Sequence, residues 1–147
     1  MTSNPGTRTL TAASAEAFVR DWHGSLLQGV PVEDLLPQLA NGLRLELPAQ
    51  VVRGAGEFRT WHAAGPHVPV ADRRLAAARL DVRLSSPVHA EVSCVLPADA
   101  DRPETRQQWS LVLRDGRLRI RTLAVRLRPE SAPALVPAAA EPALAGA

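Results

Sequence analysis

The chain has 147 residues, 46% of them hydrophobic, which suits one domain; a domain of this size buries roughly 68–70% of its unfolded surface and needs no staple. No apolar stretch approaches the roughly 18 residues of a membrane helix, Met1 to Thr11 carries no apolar signal core, and Cys94 is the sole cysteine, so the reading is a cytoplasmic protein with no membrane partner and no intrachain disulfide. The formal net charge is only +2 despite 17 arginines. These alternate with apolar residues instead of forming a run and no aromatic-basic platform accompanies them, which argues against nucleic acid.

In chain order, Thr11 or Ser14 can cap a first helix. Phe18, Trp22 and Leu26 recur at i, i+4 and i+8 with Val19 beside them, and Gly29 followed by Pro31 is a stop. A short second helix carries Leu35, Leu36 and Leu39, and Pro37 must kink it or end it early. The period then changes. Leu43, Leu45 and Leu47 alternate with Arg44 and Glu46 in a half-buried strand closed by Pro48, and Val51-Val52-Arg53 can add a short one. Gly54 to Ala64 reads as a third helix with Phe58, Trp61 and His62 on one face, ended by Gly65-Pro66. The rest reads as strand: Ala76 to Leu84, then Val88 to Leu96, then Thr105 to Arg114 with Trp109, Leu111 and Leu113 on one side. Asp115-Gly116 is a hairpin signal. In the last strand, Arg117 to Arg128, the apolar phase slips between Ile120 and Leu123, which predicts a β-bulge near Arg121-Thr122. The Pro- and Ala-rich stretch from Pro129 has no periodic stripe and reads as a flexible or loosely docked tail. The expected organisation is a disordered N-terminus over 1–11, a domain over 12–128 and a tail over 129–147. The fold class is α+β: a curved antiparallel sheet wrapped around three N-terminal helices, enclosing an apolar pocket.

This order resembles the nuclear transport factor 2-like superfamily, also called the SnoaL-like fold, over about Ala12 to Arg128. The resemblance rests on the helix ending at Gly29 and Pro31, the strand end Leu45-Glu46-Leu47-Pro48, the stretch Val52-Arg53-Gly54 leading into Glu57-Phe58-x-x-Trp61, and the hairpin at Asp115-Gly116-Arg117-Leu118. It implies a conical cavity between sheet and helices, and a homodimer through the exposed sheet face. Ketosteroid isomerases of this superfamily place an oxyanion-binding Tyr where Trp22 falls, a carboxylate base where Leu47 falls and a buried protonated Asp where Trp109 falls. All three positions depart from that pattern. Leucine takes no proton and tryptophan only donates a hydrogen bond, so steroid isomerisation at that site is not expected.

The candidate chemistry centres on His62, which titrates in the useful range and shares a helix face with Phe58 and Trp61. It is read as a proton-transfer group or as a satisfied core or rim histidine. Trp22, Trp61 and Trp109 can stack on a planar ligand or simply fill the core. His67 sits in a Pro-flanked loop that can close over the mouth, and Arg121 at the bulge can reach inward to hold an oxyanion or remain at the surface. His23 is turned about 100° from Trp22 around its helix and grazes the site at most. Glu46, Asp81 and Glu91 fall on polar faces, which weakens any two-carboxylate mechanism. No metal-ligand spacing and no Gly-rich phosphate loop is present, so no metal and no cofactor is expected. The leading expectation is a cofactor-independent enzyme for a small apolar molecule, working by acid/base isomerisation, cyclisation or hydration. It has His62 as catalytic residue and Trp22, Leu47, Phe58, Trp61, His67, Trp109 and Arg121 around the ligand. The rival is a non-catalytic binding or accessory dimer module of the same fold. A purely structural domain would require the three tryptophans to fill the cavity.

Overall fold

A computed structural model describes residues 9–128 of the chain. Residues 1–8 and the expected tail over 129–147 lie outside the described residues. Helix α1 spans Ala12–Gln28. The Thr11 hydroxyl accepts from the Ser14 N–H at 3.0 Å while the Ser14 hydroxyl accepts from the Thr11 N–H at 3.1 Å, a reciprocal cap on two otherwise orphaned donors. Gly29 ends the helix with φ +76°, a left-handed conformation that glycine takes without a Cβ clash. Ordered packing begins inside the stretch expected to be disordered: Leu10 is buried and its N–H donates to the Pro87 carbonyl at 3.0 Å. The buried stripe of α1 is Ala15, Val19, Trp22, His23 and Leu26. It is rotated toward His23, and Phe18 is only half-buried.

Helix α2 is a single turn, Val32–Leu35, and Pro37 converts the next residues, Leu36–Gln38, to a 3₁₀ turn. Leu39, expected in that helix, opens strand β1, Leu39–Glu46, with Leu43 and Leu45 buried as the alternation requires. Strand β2, Val51–Arg53, leads directly into α3, Gly54–Ala64. Strands β3, Asp81–Ser86, β4, His89–Leu96, β5, Thr105–Arg114, and β6, Arg117–Leu127, form the meander. Asp115 and Gly116 turn β5 into β6 with φ of +55° and +74°, the two positive values that a two-residue hairpin with mirror-image turn geometry needs.

The six strands lie in the order β2-β1-β6-β5-β4-β3 in one curved, unclosed sheet. It is mixed, not wholly antiparallel, because β1 runs parallel to β6. Side-chain alternation specifies which face of a strand is buried but not the direction of its neighbour. Helix α1 packs against β3 and β4, and α3 against β1 and β2, so both helices cover the same face. The phase slip in β6 is a bulge: Leu111 pairs with Ile120 and Ser110 with Thr122, leaving Arg121 as the extra residue.

One expected strand is shorter than the alternation suggests. Arg73–Ala77 form a 3₁₀ turn capped by the Asp72 side chain, and β3 starts only at Asp81. Two anchors hold this segment off the sheet. Arg20 on α1 donates to the carbonyls of Leu75 at 3.1 Å and Ala78 at 2.8 Å. Asp72, 3% exposed, accepts from the Arg74 guanidinium at 3.0 and 2.7 Å and from Arg102 at 2.9 Å. Arg74 in turn donates to the carbonyls of Pro97 and Pro103 and to the Thr105 hydroxyl, fastening the segment to the β4–β5 loop. Burial alone raises the Asp72 carboxyl, but the Arg74 hydrogen bonds and charge, with Arg102, hold it below its ordinary value.

Replacing Asp72 with Ala leaves Arg74 partly buried without its counter-charge, and urea unfolding is expected to show a loss of about 3 kcal/mol. A carboxyl held low in the folded state contributes fully above the ordinary carboxylate range near about pH 4 and loses its contribution as pH falls through the folded value. The D72A protein is therefore expected to lose less stability than the wild type between neutral and acid pH. An equal loss in both would dissociate the acid sensitivity from this clip.

Candidate functional site

Helix α1, helix α3 and strand β5 point aromatic side chains at one another under the sheet. The Trp22 and Trp109 rings meet edge-on at 5.7 Å and 83°, and Trp22 leans on Phe58 at 6.2 Å. Phe58 contacts Trp61 at 5.5 Å and His62 at 6.2 Å. The His67 ring closes the outer end, stacked on His62 at 4.3 Å and tilted against Trp61 at 5.2 Å. The separations among the Trp and Phe rings are those at which ring quadrupoles attract in tilted and edge-on arrangements. A water-filled chamber would leave its lining wetted, yet Trp109 is 0%, Phe58 1% and Trp22 2% exposed. The centre of the expected cavity is thus occupied by the chain's own rings. Of the expected site residues, Trp22, Phe58, Trp61 and Trp109 are buried, Leu47, His62 and His67 are half-buried, and Arg121 is exposed.

The polar atoms of this cluster divide into satisfied and unsatisfied. Trp109 donates its indole N–H to Gln107 at 3.2 Å, and the Gln107 amide donates to the Val70 carbonyl at 3.1 Å. His23 Nε2 lies 3.0 Å from the Asp72 N–H and 3.1 Å from the Val70 carbonyl, so it accepts from Asp72 when the ring proton is on Nδ1 and donates to Val70 when Nε2 carries it. Burial lowers the His23 pKa, against the opposing pull of the Val70 carbonyl and Asp72. This buried relay of Trp109, Gln107 and His23 holds the 69–72 segment in place. His67 donates from Nε2 to the His62 carbonyl at 2.9 Å, since a carbonyl only accepts. Two buried nitrogens have no partner: Trp22 Nε1 and His62 Nε2. Burial, and then the neighbouring His67, lower the His62 pKa, which leaves its imidazole neutral and able to accept a proton at neutral pH.

Arg121 does not join this cluster. It is exposed and lines a groove on the opposite face of the sheet, where a long cationic side chain keeps its hydration. The carboxylates Glu46 and Glu91 also occupy the outer face: Glu46 pairs with Arg44 and Arg126, and Glu91 accepts from Ser110. Burial pushes the Cys94 thiol up to about 11, so it is no nucleophile at neutral pH. Among the described residues no three His, Cys, Asp or Glu side chains are placed to hold a metal ion, and no helix is long and apolar enough to cross a membrane. Gln107 is the supporting residue that the pattern does not single out, while His23, expected to graze the site at most, is buried beside Trp22 and bonded to the 70–72 segment. Extending the inward phase of β5 two residues back from Trp109 reaches Gln107, so that signal was present.

Solved structures share the fold. A cystatin-like fold protein of Burkholderia xenovorans superposes with a TM-score of 0.64 at 19% identity, over 84% of this chain and 93% of that one. A nuclear transport factor 2-like protein with a cystatin-like fold, from Novosphingobium aromaticivorans, gives 0.56 at 13% identity, over 78% and 80%. The fold is nuclear transport factor 2-like. A candidate scytalone dehydratase of Novosphingobium aromaticivorans has the same fold, with a TM-score of 0.55 at 13% identity over 78% and 82% of the two chains. No protein-family model and no curated protein matches the sequence. At these identities the nuclear transport factor 2-like likeness establishes the fold alone.

The two buried indoles give opposite expectations for Trp→Phe substitution. W109F orphans the Gln107 oxygen in the core, whereas W22F removes an N–H that has no acceptor. Urea unfolding is expected to show W109F as the more destabilised by about 1–2 kcal/mol; equal losses would contradict the hydrogen-bond assignment. In ¹H–¹⁵N spectra His62 is expected to titrate below the ordinary histidine value, and His67→Ala to move it part of the way back, since burial is the larger cause.

Proposed function

We propose that the chain is a small-molecule-binding protein whose ligand enters at the outer end of the aromatic cluster, between α3 and the loop carrying His67. The observation that carries this reading is the pair of buried nitrogens without partners, Trp22 Nε1 and His62 Nε2, joined through Phe58. Leaving a buried polar group unpaired costs about 1–3 kcal/mol. A planar molecule bearing a carbonyl or hydroxyl oxygen would recover that cost while its apolar body stacks on Phe58 and Trp61. Entry requires His67, which is half-buried, and Trp61, buried just beneath it, to move. Among the described residues His62 is the histidine of the cluster whose ring nitrogen, Nε2, is buried without a partner. Acid/base chemistry of the isomerisation, cyclisation or hydration type would therefore run through it. The fold shared with a candidate scytalone dehydratase is compatible with such chemistry.

A second reading has its own support. The 0–2% exposure of Trp109, Phe58 and Trp22 favours a non-catalytic accessory dimer module in which these rings are only core.

Intrinsic tryptophan fluorescence, titrated with planar ketones, epoxides and lactones, separates the two. Saturable quenching that weakens about tenfold in W22F, one hydrogen bond's worth, supports the binding site. Turnover that falls at least about a hundredfold in His62→Ala, and that falls with pH through the lowered His62 value, assigns the proton-transfer role. Quenching without turnover leaves a binding protein, and no response to any compound favours the filled accessory module.

A further inference from the structure

The outer face of the sheet carries a groove of about 410 Å³ that the reading above does not use, lined by Asn41, His89, Val112, Arg114, Arg119 and Arg121 together with Ala40. Strand register explains its composition. His89 pairs with Val112 and Val112 with Arg119, so these three form one row across β4, β5 and β6. Arg114 lies two residues beyond Val112 on the same face. The bulge adds Arg121 to that face beside Arg119, because the extra residue is skipped in the ladder with β5.

We propose that this groove binds a phosphate-type divalent oxyanion, free or as the phosphate group of a small molecule. Three guanidinium groups share one depression whose lining contains no carboxylate. Among the described residues Arg114, Arg119 and Arg121 take part in no ion pair, although other arginines of the same face do: Arg44 and Arg126 share Glu46. Arg119 Nε is in addition buried with no hydrogen-bond partner, a donor held ready without an acceptor. At the groove's edge the Ser86 hydroxyl, which accepts from the Val88 N–H, lies 2.8 Å from His89 Nδ1. Its own proton can go to that nitrogen, which leaves the imidazole proton on Nε2 as a further donor. Planar guanidinium forks match tetrahedral oxyanions at several edges at once, and a bound dianion offsets the mutual repulsion of the three cations. The volume exceeds that of a phosphate group and lies within the range of small-molecule sites.

The test uses the full chain at constant ionic strength. Inorganic phosphate and a sugar phosphate are titrated by calorimetry and by thermal unfolding, with acetate and chloride as controls, on wild type and on an Arg119→Gln/Arg121→Gln double variant. Sedimentation velocity follows oligomeric state in each condition. Saturable phosphate binding by the wild type, weakened about tenfold or more in the double variant, supports the site. Tighter binding of the sugar phosphate than of inorganic phosphate identifies a small-molecule ligand; equal affinities identify the free anion. The variant is expected to be as stable as wild type in chloride, because it removes like charges and no partner. Absence of saturable binding, equal response to acetate, or unchanged affinity in the variant overturns the proposal. So does a wild-type dimer that the variant dissociates without any phosphate effect, which would give the groove to a second copy of the chain.

Discussion

The edge-on contact between Trp22 and Trp109 is the constraint around which the molecule is organised. It is the point at which α1 touches the middle of the sheet, and Phe58 brings α3 to the same spot. Each of these rings contributes a large apolar area from a different element, so losing any one opens a void that two other elements must collapse to fill. The polar relay through Gln107 and His23 then fixes the segment that follows α3, and the Asp72–Arg74 clip fastens its far end. Aromatic packing thus sets the position of the helices, and buried hydrogen bonds set the path of the connection between helices and meander.

That division of labour explains what the sequence made legible. The α1 cap, the Gly29 stop, α3 from Gly54 to Ala64, the Asp115-Gly116 turn and the β6 bulge all rest on local rules, and each stands where the pattern puts it. The direction of β1 against β6 is a matter of chain path over some eighty positions, which alternation does not encode. The stretch from Ala76 to Leu80 reads as strand because Ala76, Ala78 and Leu80 alternate, yet it is a 3₁₀ turn and a connection into β3. The distant partners Arg20 and Arg102 override that local preference.

The candidate site shows the same split. That Trp22, Phe58, Trp61, Trp109 and His62 belong together follows from helix and strand periods. Whether the space between them is open depends on ring orientation, which no period carries. For Arg121 the bulge leaves two faces open, and the structure gives it the outer one: a bulge tells where the ladder breaks, while the preference of a guanidinium for water decides which side it takes. The result is a two-sided sheet with different chemistry on each side. One side is apolar and aromatic, with two idle nitrogens; the other is cationic, with a guanidinium nitrogen still seeking an acceptor.

The unclosed sheet has a further consequence, for how copies of the molecule can meet in solution. Its borders are β2, only three residues long, and β3, whose charged Asp81 and Arg83 stand exposed. A short border and a charged one both discourage a stranger's backbone from continuing the ladder. Growth by strand addition, the route to fibrils and domain exchange, is therefore disfavoured at both borders of the described sheet, which shifts self-association toward side chains meeting face to face.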